Sequence, residues 1–173
     1  MRISQNTEIG RGLARAGAIV ALAVAVLPMM ARAHTPEAAL PAVDNLARDG
    51  KLALQRGVPL VILFSLPGCT YCETVRRNYL LPLSRGGKGV NGPLVREADM
   101  ASTIPLSGID GQASSGKALA KQYGIRVAPS VLLIDGSGRR LAPVLEGGDV
   151  AGMYGAYLED RLANARRALG EAH

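Results

Sequence analysis

Tryptophan is absent from the chain, phenylalanine occurs once and tyrosine five times. So little aromatic surface offers no stacking platform for bases, and nucleic acid is set aside as a partner. Histidine occurs only as His34 and His173. Neither lies in sequence near any other soft ligand, so a zinc site with its usual four protein ligands has no obvious donors. No apolar run reaches the ~20 residues needed to span a bilayer. Cysteine is confined to Cys69 and Cys72. A bridge between such near neighbours would close a very short loop and constrain the unfolded chain little, so chemistry explains the pair better than stability does.

What is present begins with a polar N-terminus carrying Arg2, Arg11 and Arg15, followed by an apolar run of about 15 residues and then Ala31-Arg32-Ala33. This is the pattern of a cleavable signal over residues 1–33, with His34 as the mature N-terminus; an uncleaved anchor is the rival reading. Residues 1–33 hold four arginines and one glutamate, so the formal charge of +6 falls to +3 in the remainder. The basic balance is then partly a feature of export and not a nucleic-acid footprint. No stable membrane span is expected after cleavage. Export also delivers both cysteines to an oxidising compartment.

The most informative stretch is 58–79, VPLVILFSLPGCTYCETVRRNY. Residues 58–65 form a β-branched, apolar run of strand length, closed by Leu66-Pro67-Gly68. The next apolar positions (Cys72, Val75, Tyr79, Leu83) fit helical spacing, with Pro82 expected to end or kink the helix near Leu81. Cys69 therefore falls at the N-terminus of a helix, where free N–H groups and the helix dipole favour a thiolate. Cys72 lies one turn deeper and can reach the same sulfur.

Elsewhere, 34–41 reads as a linker and 42–56 as a helix with Pro41 at its first turn. Residues 84–93 read as a glycine-rich loop, 94–100 as a strand, and 101–115 as an irregular insertion or lid. A short helix over 116–123 is stopped by Gly124, and 130–135 and 141–146 form a hairpin across DGSG. Asp149 is expected to cap a helix over 150–169 whose buried side includes Val150, Met153, Tyr154, Tyr157, Leu158 and Leu162. The order α, β, α, β, α, β, β, α implies an α/β fold: a mixed sheet of about four strands with helices on both faces. Gly111 to Lys117 nearly matches a phosphate-binding loop, but Ala118 stands where a hydroxyl should hold magnesium, so a helix start capped by Ser114 or Ser115 is the better reading. The arginine pairs 76/77, 139/140 and 166/167 are expected on solvated faces. Arg76 and Arg77 would add positive potential near Cys69, which Glu73 would oppose.

With strand, Cys69-Thr70-Tyr71-Cys72, Val127-Ala128-Pro129-Ser130 some 55–60 residues later, and the hairpin before Gly147-Gly148, the chain resembles the thioredoxin superfamily, in particular its exported bacterial members. The likeness covers about 42–169. It implies the thioredoxin fold and a periplasmic thiol–disulfide oxidoreductase with Cys69 attacking and Cys72 resolving. It also implies a cis Pro129 that, with Ala128, Thr70 and Tyr71, shapes a substrate groove. Protein thiols or disulfides and a redox partner protein are the expected partners, a monomer the expected state, and no metal or organic cofactor is called for. The residues leave the direction of exchange open, with reduction of substrates favoured. Two departures stand out: Leu63 occupies the position where thioredoxins proper carry a buried acid, and the insertions 84–93 and 101–115 have no counterpart in a minimal member. A copper(I)-handling protein or a non-catalytic binding module of the same fold are the alternatives.

If the signal reading holds, the intact mass of the exported protein corresponds to a chain beginning at His34. Detection of residues 1–33 on the exported form would refute it.

Overall fold

The computed structural model describes residues 39–86 and 92–171; the expected signal, most of the linker and the middle of the glycine-rich loop lie outside them. β1 (Leu60–Ser65) pairs in parallel with β2 (Leu94–Asp99) and antiparallel with β5 (Ser130–Ile134), which pairs antiparallel with β6 (Leu145–Glu146). These four strands form one sheet in the order β2-β1-β5-β6. A separate two-stranded ribbon joins β3 (Leu106–Ser107) to β4 (Ala113–Ser114).

β1 is buried along its whole length, which its uninterrupted apolar composition requires. Its side chains alternate between two cores. Val61 and Leu63 join Val75, Leu80, Leu158 and Leu162 on one side, whereas Leu60, Ile62 and Phe64 join Leu46, Ala53, Leu119 and Ala120 on the other. The first face is covered by the cysteine-bearing helix and α5 (Tyr154–Gly170), and the second by α1 (Leu46–Arg56) and α4 (Gly116–Gln122). The expected mixed sheet with helices on both faces is the observed architecture.

Several boundaries differ from expectation, each for a local reason. α1 starts at Leu46 and not at 42, because the Asn45 side chain accepts the Arg48 N–H at 2.8 Å and caps the helix there. The preceding residues are extended: Val43 N–H donates to the Glu97 carbonyl and Glu97 N–H to that of Pro41, which protects the outer edge of β2. The helix after Cys69 is not ended by Pro82. It runs as α2 (Thr70–Val75), a π-helical turn (Arg76–Leu80) and α3 (Leu81–Gly86), so the first residues of the expected loop 84–93 are helical. Leu81 N–H bonds to the Arg76 carbonyl, five residues back, and this wider turn accommodates a proline that has no N–H to donate. The turn also shifts the helical phase by one residue. Leu80 becomes fully buried, and Tyr79 and Leu83, expected on the inner row, only pack against its margin.

Residues 101–115 leave the sheet beside Ser65 and Asp99 and form the β3–β4 ribbon, whose turn residue Ile109 packs against Gly50 and Gly138 at the end of the sheet opposite the cysteine turn. The returning strand is shorter than 141–146, with only Leu145–Glu146 paired and a single bridge from Ile134 to Arg140. α5 begins at Tyr154 with no side-chain cap; Asp149 accepts the Tyr79 hydroxyl proton instead, and Val150, Met153 and Tyr157 are exposed. Among the described residues no helix is long and apolar enough to cross a membrane.

Asp49, 1 % exposed, receives Nε and Nη2 of Arg96 at 2.7 and 2.8 Å and ties α1 to β2. Removing one partner of such a pair strands the other charge. Asp49→Ala is therefore expected to cost about 3 kcal/mol in a denaturant titration, without altering the reactivity of the cysteines.

Candidate active site

The site is assembled at one end of the sheet. β1 delivers the chain to Leu66-Pro67-Gly68, where Gly68 takes a left-handed φ of 71° that a glycine adopts without strain. Cys69 comes next as the N-cap of α2, in extended conformation, and its sulfur accepts the Cys72 N–H at 3.1 Å. The two sulfurs are joined in a disulfide. Their surroundings differ sharply: Cys69 is half-buried at the turn, whereas Cys72 is fully buried beside Val75. In the dithiol form the Cys72 N–H and the start of the helix would favour a thiolate at Cys69, and the apolar burial of Cys72 would disfavour one there. Thr70 and Tyr71 are exposed between them.

The Val127–Ser130 segment reaches the same end by strand register. Phe64 on β1 faces Ser130 on β5, so Pro129 stands one residue further toward the cysteine turn. The Ala128–Pro129 peptide is cis, as the resemblance implies. Pro129 is buried, Ala128 is half-buried and Val127 is exposed; the Ser130 hydroxyl closes the bend by donating to the Val127 carbonyl at 2.8 Å. The Pro129 carbonyl accepts the Gly147 N–H at 2.8 Å. The next residue, Gly148, lies so close to Tyr71 that a Cβ there would come within 2.8 Å of the ring. Through Gly147 and Gly148 the proline segment and the cysteine turn are thus brought into one surface.

The Tyr79 hydroxyl secures the chain just after this point by its bond to Asp149, and that bond is the main reason its pKa is raised. Tyr154, 4.9 Å away between ring centroids, has its pKa raised chiefly by burial.

Leu63 is fully buried, so no acid lies beneath the pair at that position. The charges come from elsewhere, and one of them departs from the expected solvated face. Arg76 is not on a solvated face: its side chain is 18 % exposed, and Nε and Nη2 contact Glu97 at 2.8 and 2.6 Å. Glu97 and Ser65 do not stand out as site residues in the sequence; the two charges Arg96-Glu97 interrupting the apolar strand are the available signal, and Gly148 is marked there only as part of the Gly147-Gly148 break. The near match to a phosphate loop is a helix start, with Ser115 Oγ accepting the Ala118 N–H at 3.2 Å. Among the described residues no group of three or more histidine, cysteine, aspartate or glutamate side chains is gathered as a metal site would need.

A sheet of this order, with a C-x-x-C at the start of the helix after its central strand and a cis proline at the same end, defines a thioredoxin-fold redox site. The chain belongs to the thioredoxin-like domain family, whose profile matches residues 46–161. Among solved structures, mitochondrial thioredoxin 3 of Saccharomyces cerevisiae in its oxidised form is similar at 17 % identity and a TM-score of 0.49, covering 72 % of this chain and 94 % of that one. Oxidised thioredoxin O2 of Arabidopsis thaliana matches at 13 % identity and a TM-score of 0.46, over 70 % and 93 %. A thioredoxin-fold protein of Helicobacter pylori matches at 16 % and 0.47, over 64 % and 73 %. No curated protein matches the sequence. The family and the Cys69–Cys72 pair together point to thiol–disulfide redox activity.

The burial difference makes a direct prediction. After reduction, iodoacetamide at slightly acid pH should label Cys69 well before Cys72, with a midpoint for Cys69 below the ~8.5 of a free cysteine. Labelling in the reverse order, read by peptide mass, would contradict the site as described.

Proposed function

We propose that the protein is an exported, periplasmic thiol–disulfide oxidoreductase that acts on protein substrates as a monomer, with Cys69 as nucleophile and Cys72 as resolving thiol. The observation that carries this reading is the asymmetry of the pair: a half-buried Cys69 whose sulfur accepts the Cys72 N–H at a helix start, joined in a disulfide to a fully buried Cys72.

In the reductive direction the Cys69 thiolate attacks one sulfur of a substrate disulfide. An S–S bond to the substrate forms as the substrate's own S–S bond breaks, and the first substrate sulfur leaves as a thiolate. Cys72 then loses its proton and attacks the Cys69 sulfur. The internal disulfide closes, the second substrate thiolate leaves, and two electrons have passed to the substrate. A redox partner protein would return the pair to the dithiol by the same exchange. The exposed Thr70 and Tyr71 and the Val127–Pro129 segment would form the groove in which an extended substrate lies. Reduction of substrates is the favoured direction, and no cofactor enters the cycle.

Two measurements test the reading. The wild-type dithiol should reduce insulin disulfides, whereas Cys69→Ser should not. Cys72→Ser should accumulate mixed disulfides with protein substrates in the periplasm, visible as adducts lost on reduction, while Cys69→Ser accumulates none. If the wild type is inactive and neither variant forms adducts, a non-catalytic binding module replaces the enzyme.

A further inference from the structure

β2 places Glu97 directly beside Leu63, on the face of the sheet that carries the cysteine helix. Its carboxylate accepts the Ser65 hydroxyl at 2.6 Å as well as the two bonds from Arg76. Arg76 Nη1 turns the other way and meets Glu73 at 3.0 Å, and Arg77 Nε reaches the same carboxylate at 3.2 Å. The backbone N–H of Arg76 bonds to the Cys72 carbonyl, so this guanidinium departs from the helix one turn beyond the resolving cysteine. Arg76 and Glu97 are largely shielded from water, with side-chain exposures of 18 and 16 %, whereas Glu73 is 40 % exposed. The bonds from Glu97 push the Arg76 pKa above its already high value, so its charge is permanent.

We propose that the Glu73–Arg76–Glu97 cluster sets the redox poise of the Cys69–Cys72 pair, an inference that rests on the exchange activity proposed for the same site. Reduction by glutathione converts one protein disulfide and two glutathione thiols into one protein dithiol and one glutathione disulfide, with two electrons transferred. The protein disulfide is neutral. Above the pKa of Cys69 the reduced form instead carries a thiolate and has released its proton to solvent. A fixed charge behind the helix therefore acts on one side of the equilibrium only: Arg76 favours the reduced form, and Glu97 and Glu73 oppose it. With Glu73 one helical turn from Cys69, and Arg76 about two turns from it with Glu97 on its guanidinium, all in a partly shielded setting, each charge is worth about threefold to tenfold in the equilibrium constant.

Other charged groups on the elements meeting the cysteine turn are Arg77 on the helix, Asp99 at the end of β2, Arg126 before the cis proline, Glu146 on β6 and Asp149 beyond it. None of them is substituted in the test. The three cluster residues position and tune charge; they do not touch the exchanging sulfurs.

The test equilibrates the protein from His34 onward with reduced and oxidised glutathione at pH 8, quenches with acid and counts dithiol by alkylation mass. Glu97→Gln should raise the equilibrium constant for reduction by about threefold to tenfold and lower the pH midpoint for Cys69 alkylation. Arg76→Gln should move both quantities by similar factors in the opposite direction, and Arg76→Lys, which keeps the charge, should stay within about twofold of wild type. Loss of packing would instead lower the unfolding temperature of both neutral variants alike, with no reason for opposite signs. Should a core variant fail to fold, the more exposed Glu73→Gln decides, with an expected rise in the same sense as Glu97→Gln. Shifts of one sign for Glu97→Gln and Arg76→Gln, or no shift in Glu73→Gln when either cannot be measured, would overturn the inference while leaving a wild type that exchanges. A wild type that does not exchange with glutathione would remove the enzymatic reading itself.

Discussion

β1 is hemmed in on every side, by β2 and β5 along its edges and by a separate apolar core on each face. The functional end of the molecule depends on this confinement. Because side chains alternate, a one-residue slip of β1 would turn Val61 and Leu63 toward the wrong core and Leu60, Ile62 and Phe64 toward the other. Burying each such side chain is worth about 1.5–3 kcal/mol, so the register is held firmly by the core. The same register fixes where β1 ends and where β5 begins. Cys69 and Pro129 lie far apart in sequence and share one end of the sheet as a direct result.

At that end the chemistry is divided by burial rather than by residue type. Two identical thiols become unlike because one sits on a helix start and the other inside a core. The buried Leu63 places an apolar side chain where an acid could stand, and the shielded charges lie on the neighbouring strand and the next helical turn. The network is anchored on both the helix that carries the two sulfurs and the sheet beside it.

Much of this was legible in the sequence because the relevant signals are local. The apolar run before Leu66-Pro67-Gly68 specifies a buried strand and a turn, and Cys69 can then fall only at the start of the next helix. What sequence reasoning missed depends on partners distant along the chain. Asp149 has the chemistry of a helix cap, but the Tyr79 hydroxyl claims it. Arg76 looks like a surface residue until β2 brings Glu97 beside it. Pro82 ends an ordinary helix, and only the added residue in the turn before it lets the helix continue. That turn also explains why Tyr79 and Leu83 fit the inner row on paper and Leu80 occupies it in the fold. The helix expected over 42–56 starts late for a nearer reason: the Asn45 side chain caps it by accepting the Arg48 N–H, and the extended residues ahead of it bond to β2.

The close approach of Gly148 to the Tyr71 ring makes two positions distant in sequence into one heritable choice. A larger residue at 148 has room only if the side chain at 71 shrinks or swings away, and a small residue at 71 would leave an opening that glycine at 148 does not fill. The identity of the dipeptide between the cysteines is therefore not free to drift alone. Anyone grafting a different dipeptide into this scaffold is also choosing what must stand opposite it, on the loop that follows β6.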